Sequence, residues 1–197
     1  MNYKEYQHSR DMAWRILLDL HIRELPVSTT EICHHLGVTV KLYDPPDDND
    51  GCSLILNGVP IILVRRDMHP PRQRFTTAHE LGHILLGHVG QYPLINREPQ
   101  ATDNPIEQAA NVFAARLLAP ACVLWGCGVQ SAADIERLCH VSRQAAEYRM
   151  ERMRLLYARG RFLTSPLEGA VYRQFEEYIQ THRVNRCSPA TAPPSDE

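Results

Sequence analysis

From Thr76 to Leu86 the chain runs Thr76-Thr77-Ala78-His79-Glu80-Leu81-Gly82-His83-Ile84-Leu85-Leu86, apolar nearly all round yet carrying two histidines and a glutamate. Such a stretch reads as a helix sunk in a protein interior, where polar side chains are costly unless something satisfies them. Positions four apart lie about 40° apart around an α-helix and one turn apart along it. His79 and His83 therefore present imidazole nitrogens to one point. Glu80 stands beside them, close enough to reach a water held there without being a ligand. That is the mechanical content of HExxH, which points to a zinc ion (Zn2+) with Glu80 as the neighbouring general base.

A site of this kind needs a third protein ligand and one open position. His88 lies about 140° around the helix from His83, and Leu86 and Val89 stand where an extended HExxHxxGxxH pattern needs Gly and His. His88 is therefore expected at the surface or supporting a ligand. Glu107, on the next helix, is the better candidate. Asn104-Pro105-Ile106-Glu107 also reads as a capping box, in which Glu107 would serve the helix terminus instead. The small residues Ala110, Ala114 and Ala115 allow this helix a close approach to the first. Asn111, one turn on from Glu107, can accept the free ring N–H of a ligating histidine.

The surrounding pattern is α+β. An amphipathic helix is expected over Lys4–Glu24, stopped by Pro26, and a short one over Thr29–Leu36, capped by Ser28 and closed by Gly37. Val38–Tyr43, Cys52–Leu56 and Val59–Val64 read as a small antiparallel sheet, the last two joined by the hairpin signal Asn57-Gly58. Pro60 requires an unpaired edge near the start of the third strand. Pro70 opens the His-bearing helix to about His88. A loop covers Gly90–Thr102, and the Glu107 helix ends at Pro120. Beyond Ser131 the chain reads as helical, over Ser131–Leu138, Ser142–Leu156 and Pro166–Thr181.

The expected division is a domain over 1–130, a helical region over 131–182 and a disordered tail over 183–197, which is poor in large apolar residues. A net charge of −2 gives no global reason to expect nucleic acid or an anionic membrane as partner. No apolar run reads as a membrane span, and the polar start, Met1-Asn2-Tyr3-Lys4, lacks the apolar segment of a signal peptide. A cytoplasmic location is expected. The six cysteines form no CxxC pair and read as free thiols. Cys122, Cys127, Cys139 and His140 have the wrong spacing for a second, structural zinc site.

Two longer motifs carry a resemblance. Arg72-Gln73-Arg74-Phe75-Thr76-Thr77-Ala78-His79-Glu80-Leu81-Gly82-His83, and then Glu107-Gln108-Ala109-Ala110-Asn111-Val112-Phe113-Ala114-Ala115-Arg116-Leu117-Leu118-Ala119-Pro120, resemble the ImmA/IrrE family of zinc peptidases. The second motif, E-x-x-A-N-x-F-A-A-x-L-L-x-P, is far more discriminating than HExxH. The likeness continues in Leu25-Pro26-Val27, Leu36-Gly37-Val38 and Val141-Ser142-Arg143, and so covers most of the chain to about residue 157. Ala119 departs from the methionine common before the proline. The resemblance implies a zincin-like (gluzincin-type) fold with His79, His83 and Glu107 as zinc ligands and Glu80 as catalytic base. It also implies an intracellular endopeptidase acting on a helix-turn-helix transcriptional repressor, in a mobile element or a stress response.

A second reading comes from residues 131–157, which themselves resemble a helix-turn-helix. Between Ser131 and Arg161 seven arginines face four acidic residues. Basic residues opening a second helix are what a DNA-reading helix presents. In this alternative the protein is a DNA-binding or repressor-binding regulator with a structural or weakly catalytic metal site. The near-neutral overall charge favours instead a helix pair that packs on the first domain or docks the repressor.

Overall fold

The computed structural model describes residues 1–45, 48–90 and 104–184. The chain is α+β. Its elements run α1 (Tyr3–Asp19), α2 (Thr29–His35), β1 (Thr39–Tyr43), β2 (Gly51–Leu56), β3 (Val59–Arg65) and α3 (Pro70–Leu85), followed by α4 (Pro105–Leu118), α5 (Ala121–Gly126), α6 (Ala132–Cys139), α7 (Arg143–Arg159), α8 (Pro166–Gln174) and α9 (Glu176–Thr181).

Local signals account for most boundaries. Asn2 and Glu5 form a reciprocal capping box at the head of α1, and Ser28 accepts the Glu31 N–H at the head of α2. Helix α1 ends at Asp19, short of the predicted Glu24. His21 takes a positive φ of 52°, and the N–H groups of His21 and Ile22 turn back to Leu18 and Leu17, so the chain closes its own helix before Pro26. Helix α3 stops at Leu85 because Gly87, at φ 75°, reverses the backbone. The expected last helix is two, α8 and α9, meeting at Phe175. The short α5 beyond Pro120 lies outside the sequence expectation.

The sheet corrects the sequence reading. The order is β1-β3-β2; β2 and β3 form the antiparallel hairpin over Asn57-Gly58, but β1 runs parallel to β3. The sheet is therefore mixed. The most apolar strand takes the centre and buries Ile62 and Val64, with β1 and β2 on its two edges. Pairing with β1 begins at Ile61, so Pro60 sits where β3 has only one neighbour, as its missing N–H requires.

Strands β2 and β3 pack on α3, while α4 contacts both α3 and α1. One core gathers Leu17, Ile62, Leu81, Phe113, Leu117, Met153 and Phe175 from across the chain. Helices α6 and α7 join it through Ile135, Ala146, Met150 and Met153. The stretch Pro105–Gly126 is long and apolar enough by composition to cross a membrane, which the sequence reading passed over, but it is mostly buried within the fold. The expected tail lies outside the described residues from 185 on, as does the expected loop from 91 to 102.

Helices α3 and α4 meet closely at Gly82. A Cβ there would stand 3.0 Å from Phe113 and 3.3 Å from the Ala110 backbone. We predict that Gly82→Ala destabilises the fold by about 1–3 kcal/mol, the usual cost of overpacking. Urea unfolding measures this, and an unchanged midpoint would show that the helices separate without cost.

Candidate metal centre

Helix α3 buries His83 (3% exposed) and Glu80 (1% exposed). Helix α4 brings Glu107 across the Gly82 contact. The three predicted ligands converge. His79 Nε2 lies 3.1 Å from Glu107 Oε2, His83 Nε2 lies 3.3 Å from Glu107 Oε1, and the two Nε2 atoms are 3.0 Å apart. Among the described residues this is the group of His, Cys, Asp and Glu side chains placed to hold a metal ion.

The capping-box alternative for Glu107 does not form. Asn104 caps α4 through the Ile106 N–H, and both Glu107 oxygens face the histidines. Burial alone would raise the Glu107 carboxyl. Hydrogen bonds and charge from His79 and His83 outweigh it and hold the group well below the usual carboxylate range.

Outer partners orient both rings. Asn111 Oδ1 lies 2.9 Å from His79 Nδ1; a carbonyl oxygen only accepts, so the proton sits on Nδ1 and the Nε2 lone pair faces the centre. His88, which the helical angle sets away from the ligands, returns after the Gly87 reversal to put its Nδ1 3.0 Å from His83 Nδ1. Burial and the neighbouring His83 push His88 down to about 4, so it stays neutral and can accept the His83 N–H. Asn111→Ala is expected to cost about 10–100-fold in metal affinity, the usual scale for such partners. A competitive chelator titration measures it, and unchanged affinity would remove Asn111 from the site.

Glu80 points toward the sheet side of α3, where the Ser53 hydroxyl donates to its Oε2 at 2.8 Å. Sequence reasoning missed this residue. Its one local signal is a small polar side chain alternating with Gly51 on the buried face of an apolar strand. Gly51 is part of the same contact: a Cβ there would come within 2.6 Å of Thr76 and 2.8 Å of the Leu63 carbonyl. These two small residues let β2 lie against the helix bearing Glu80.

Arg72 is paired with Asp50 at 2.6 Å. Arg74 donates to the carbonyls of Val27, Cys139 and His140, pinning the end of α6 to α3. Cys122, Cys127 and Cys139 are buried free thiols, pushed up by burial to about 12, 11 and 12. They are thus poor candidates for a second zinc site.

The arginines of α6 and α7 differ in their surroundings. Arg143 pairs with Glu147 at 2.7 Å, and Arg137 lies 3.9 Å from Asp134. Arg149 is only 4% exposed, so it cannot reach a DNA backbone from this position.

A family model described as the IrrE N-terminal-like domain (Peptidase M78) matches residues 21–151, a span that includes all of α2 to α6 and about the first half of α7. The radiation response metalloprotease IrrE of Deinococcus deserti is 34% identical over 131 residues, covering 61% of this chain and 45% of that protein. The protein of the same name from Deinococcus radiodurans is 32% identical over 99 residues, covering 45% of this chain and 30% of that protein. The chain thus spans less than half the length of either relative.

Proposed function

Because this chain belongs to the IrrE N-terminal-like peptidase family, we propose that it is a zinc-dependent endopeptidase with a zincin-like (gluzincin-type) fold, in which His79, His83 and Glu107 hold zinc and Glu80 is the catalytic base. The observation that carries the reading is the convergence of two imidazole nitrogens and a carboxylate at 3.0–3.3 Å. Ligands about 2.0–2.1 Å from a tetrahedral zinc ion lie roughly 3.3 Å from one another, so small adjustments would admit the ion. The donor set also fits: two neutral nitrogens and one carboxylate leave a fourth position for water or substrate.

Zinc, when bound there, supplies the Lewis acidity that makes water a nucleophile near neutral pH. The remaining work falls to the chain. Asn111 and His88 hold the two rings with their Nε2 atoms inward. Glu80 takes the proton from the attacking water and later passes it to the departing amine. Ser53, donating to Glu80 Oε2, fixes the carboxylate's orientation. Ser53→Ala is expected to lower kcat roughly tenfold, the scale of one hydrogen bond to a charged group, with zinc content unchanged. Equal kcat in the two proteins would show that Ser53 only fills space.

The substrate is proposed to be a helix-turn-helix transcriptional repressor, whose cleavage would release its genes in a mobile element or a stress response inside the cell. The named relatives are radiation response proteases, which supports a regulatory setting. The 131–182 region, with its helix-turn-helix-like portion at 131–157, is proposed to pack on the 1–130 part and dock this partner rather than read DNA. The pairing of Arg143 and the burial of Arg149 favour that assignment. A Glu80→Gln protein used as bait tests the substrate. Recovery of a repressor that the active protein cleaves supports the proposal, and a captured set without one counts against it.

A further inference from the structure

Away from the metal centre, one side chain lacks the partners its chemistry demands. Arg149 sits on the inward face of α7, 4% exposed. Its Nε and both terminal nitrogens are buried without a hydrogen-bond partner. A guanidinium does not lose its proton in a protein, and a buried charge without a counter-charge is strongly unfavourable. Burial and the second cation Arg116 disfavour the charge on Arg149; Tyr6, Cys139 and Cys122 act the other way but do not outweigh them. Both thiols are held neutral by burial.

A third arginine joins them. The guanidinium carbons of Arg116 and Arg152 lie 5.6 and 5.7 Å from the centre of the Tyr6 ring, and Arg116 donates to the Tyr6 hydroxyl at 3.1 Å. Arg116 is 9% exposed, while Arg152 and Tyr6 are partly exposed. Two guanidinium groups, from α4 and α7, are thus arranged around one phenol of α1, and the unpartnered Arg149 is buried within electrostatic reach of Arg116 and Tyr6.

We propose that this cluster binds a small oxyanion, of the phosphate or carboxylate class, between Arg149, Arg116 and Arg152 beside Tyr6. The planar fork of a guanidinium matches two oxygens of such an anion, which a spherical halide does not offer. The depth of Arg149 excludes a nucleic-acid backbone and selects a small anion. Because the donors come from α4 and α7, with Tyr6 contributed by α1, the bound anion ties those three helices together and stabilises the fold.

The test is thermal unfolding and calorimetric titration of the full chain, zinc-loaded, at ionic strength held constant with sodium chloride. Inorganic phosphate is one arm and acetate the other, to distinguish the two oxyanion sources. For the preferred anion, the expected result is one ion per chain and a saturable rise in Tm. That rise is roughly 5–10 °C at a hundredfold excess over Kd. Arg149→Met should abolish the response while keeping zinc content, which separates this site from any anion at the metal. Without added oxyanion its Tm should equal or exceed that of the parent, since an apolar replacement removes the buried charge. Should that variant fail to fold, Arg152→Gln at the rim is expected to weaken oxyanion affinity about tenfold, the scale of a charge-assisted hydrogen bond. Absence of binding in both arms, or a shift undiminished in the variants, would overturn the proposal and assign the Arg149 guanidinium to water.

Discussion

Replacing Glu80 by glutamine is expected to lower peptide-bond cleavage by roughly a hundredfold or more, the scale of general-base catalysis, while the protein keeps its zinc. The side chain is 1% exposed and accepts a hydrogen bond from Ser53 at 2.8 Å. Glutamine preserves its shape, and its amide oxygen can accept the same bond. What it removes is the ability to take a proton and return it. The metal should be unaffected, because the converging donor atoms belong to His79, His83 and Glu107. Cleavage rate and metal content measured on one preparation separate the two effects. Full activity in the variant would refute the role given to Glu80, and loss of zinc would make Glu80 a ligand.

The second large effect is expected at Glu107. Its carboxylate is the one anionic donor of the three, and both its oxygens face histidine Nε2 atoms at 3.1 and 3.3 Å. Glu107→Ala leaves two neutral imidazoles. Zinc affinity should fall by more than the roughly 10–100-fold that an outer partner carries, so the protein is expected to purify without metal and without activity. His88→Ala removes only the group that accepts the His83 N–H, and should retain zinc with a loss inside that 10–100-fold range. The reverse ranking would transfer the third ligand from Glu107 to His88.

What was legible in the sequence divides along a physical line. Features fixed by a few adjacent residues could be read directly. Asn57-Gly58 supplies the two positive φ angles of the hairpin, Ser28 caps α2, and the i, i+4 spacing puts His79 and His83 on one face. Features that depend on distant segments were less accessible. The parallel pairing of β1 with β3 is a choice between two edges that the strand itself does not encode. Whether Glu107 served the helix cap or the histidines turned on how closely α4 approaches α3, which the packing at Gly82 sets. Ser53 lies 27 residues from Glu80, and its face of β2 gains meaning only once the strand rests on α3.

Arg149 is a different case, since its burial had a local signal. It shares a helical stripe with Ala146, Met150 and Met153, all buried. The period of the stripe places it in the core, against the preference of its charge.

Two imidazoles and one carboxylate are proposed to hold a zinc ion between α3 and α4. X-ray absorption at the zinc edge, on the zinc-loaded full chain, tests it most directly. A first coordination sphere of nitrogen and oxygen at about 2.0–2.1 Å is expected, with the multiple-scattering signature of two imidazoles and no sulfur. A sulfur contribution near 2.3 Å, or fewer than two imidazoles, would contradict it and move the metal to another set of side chains.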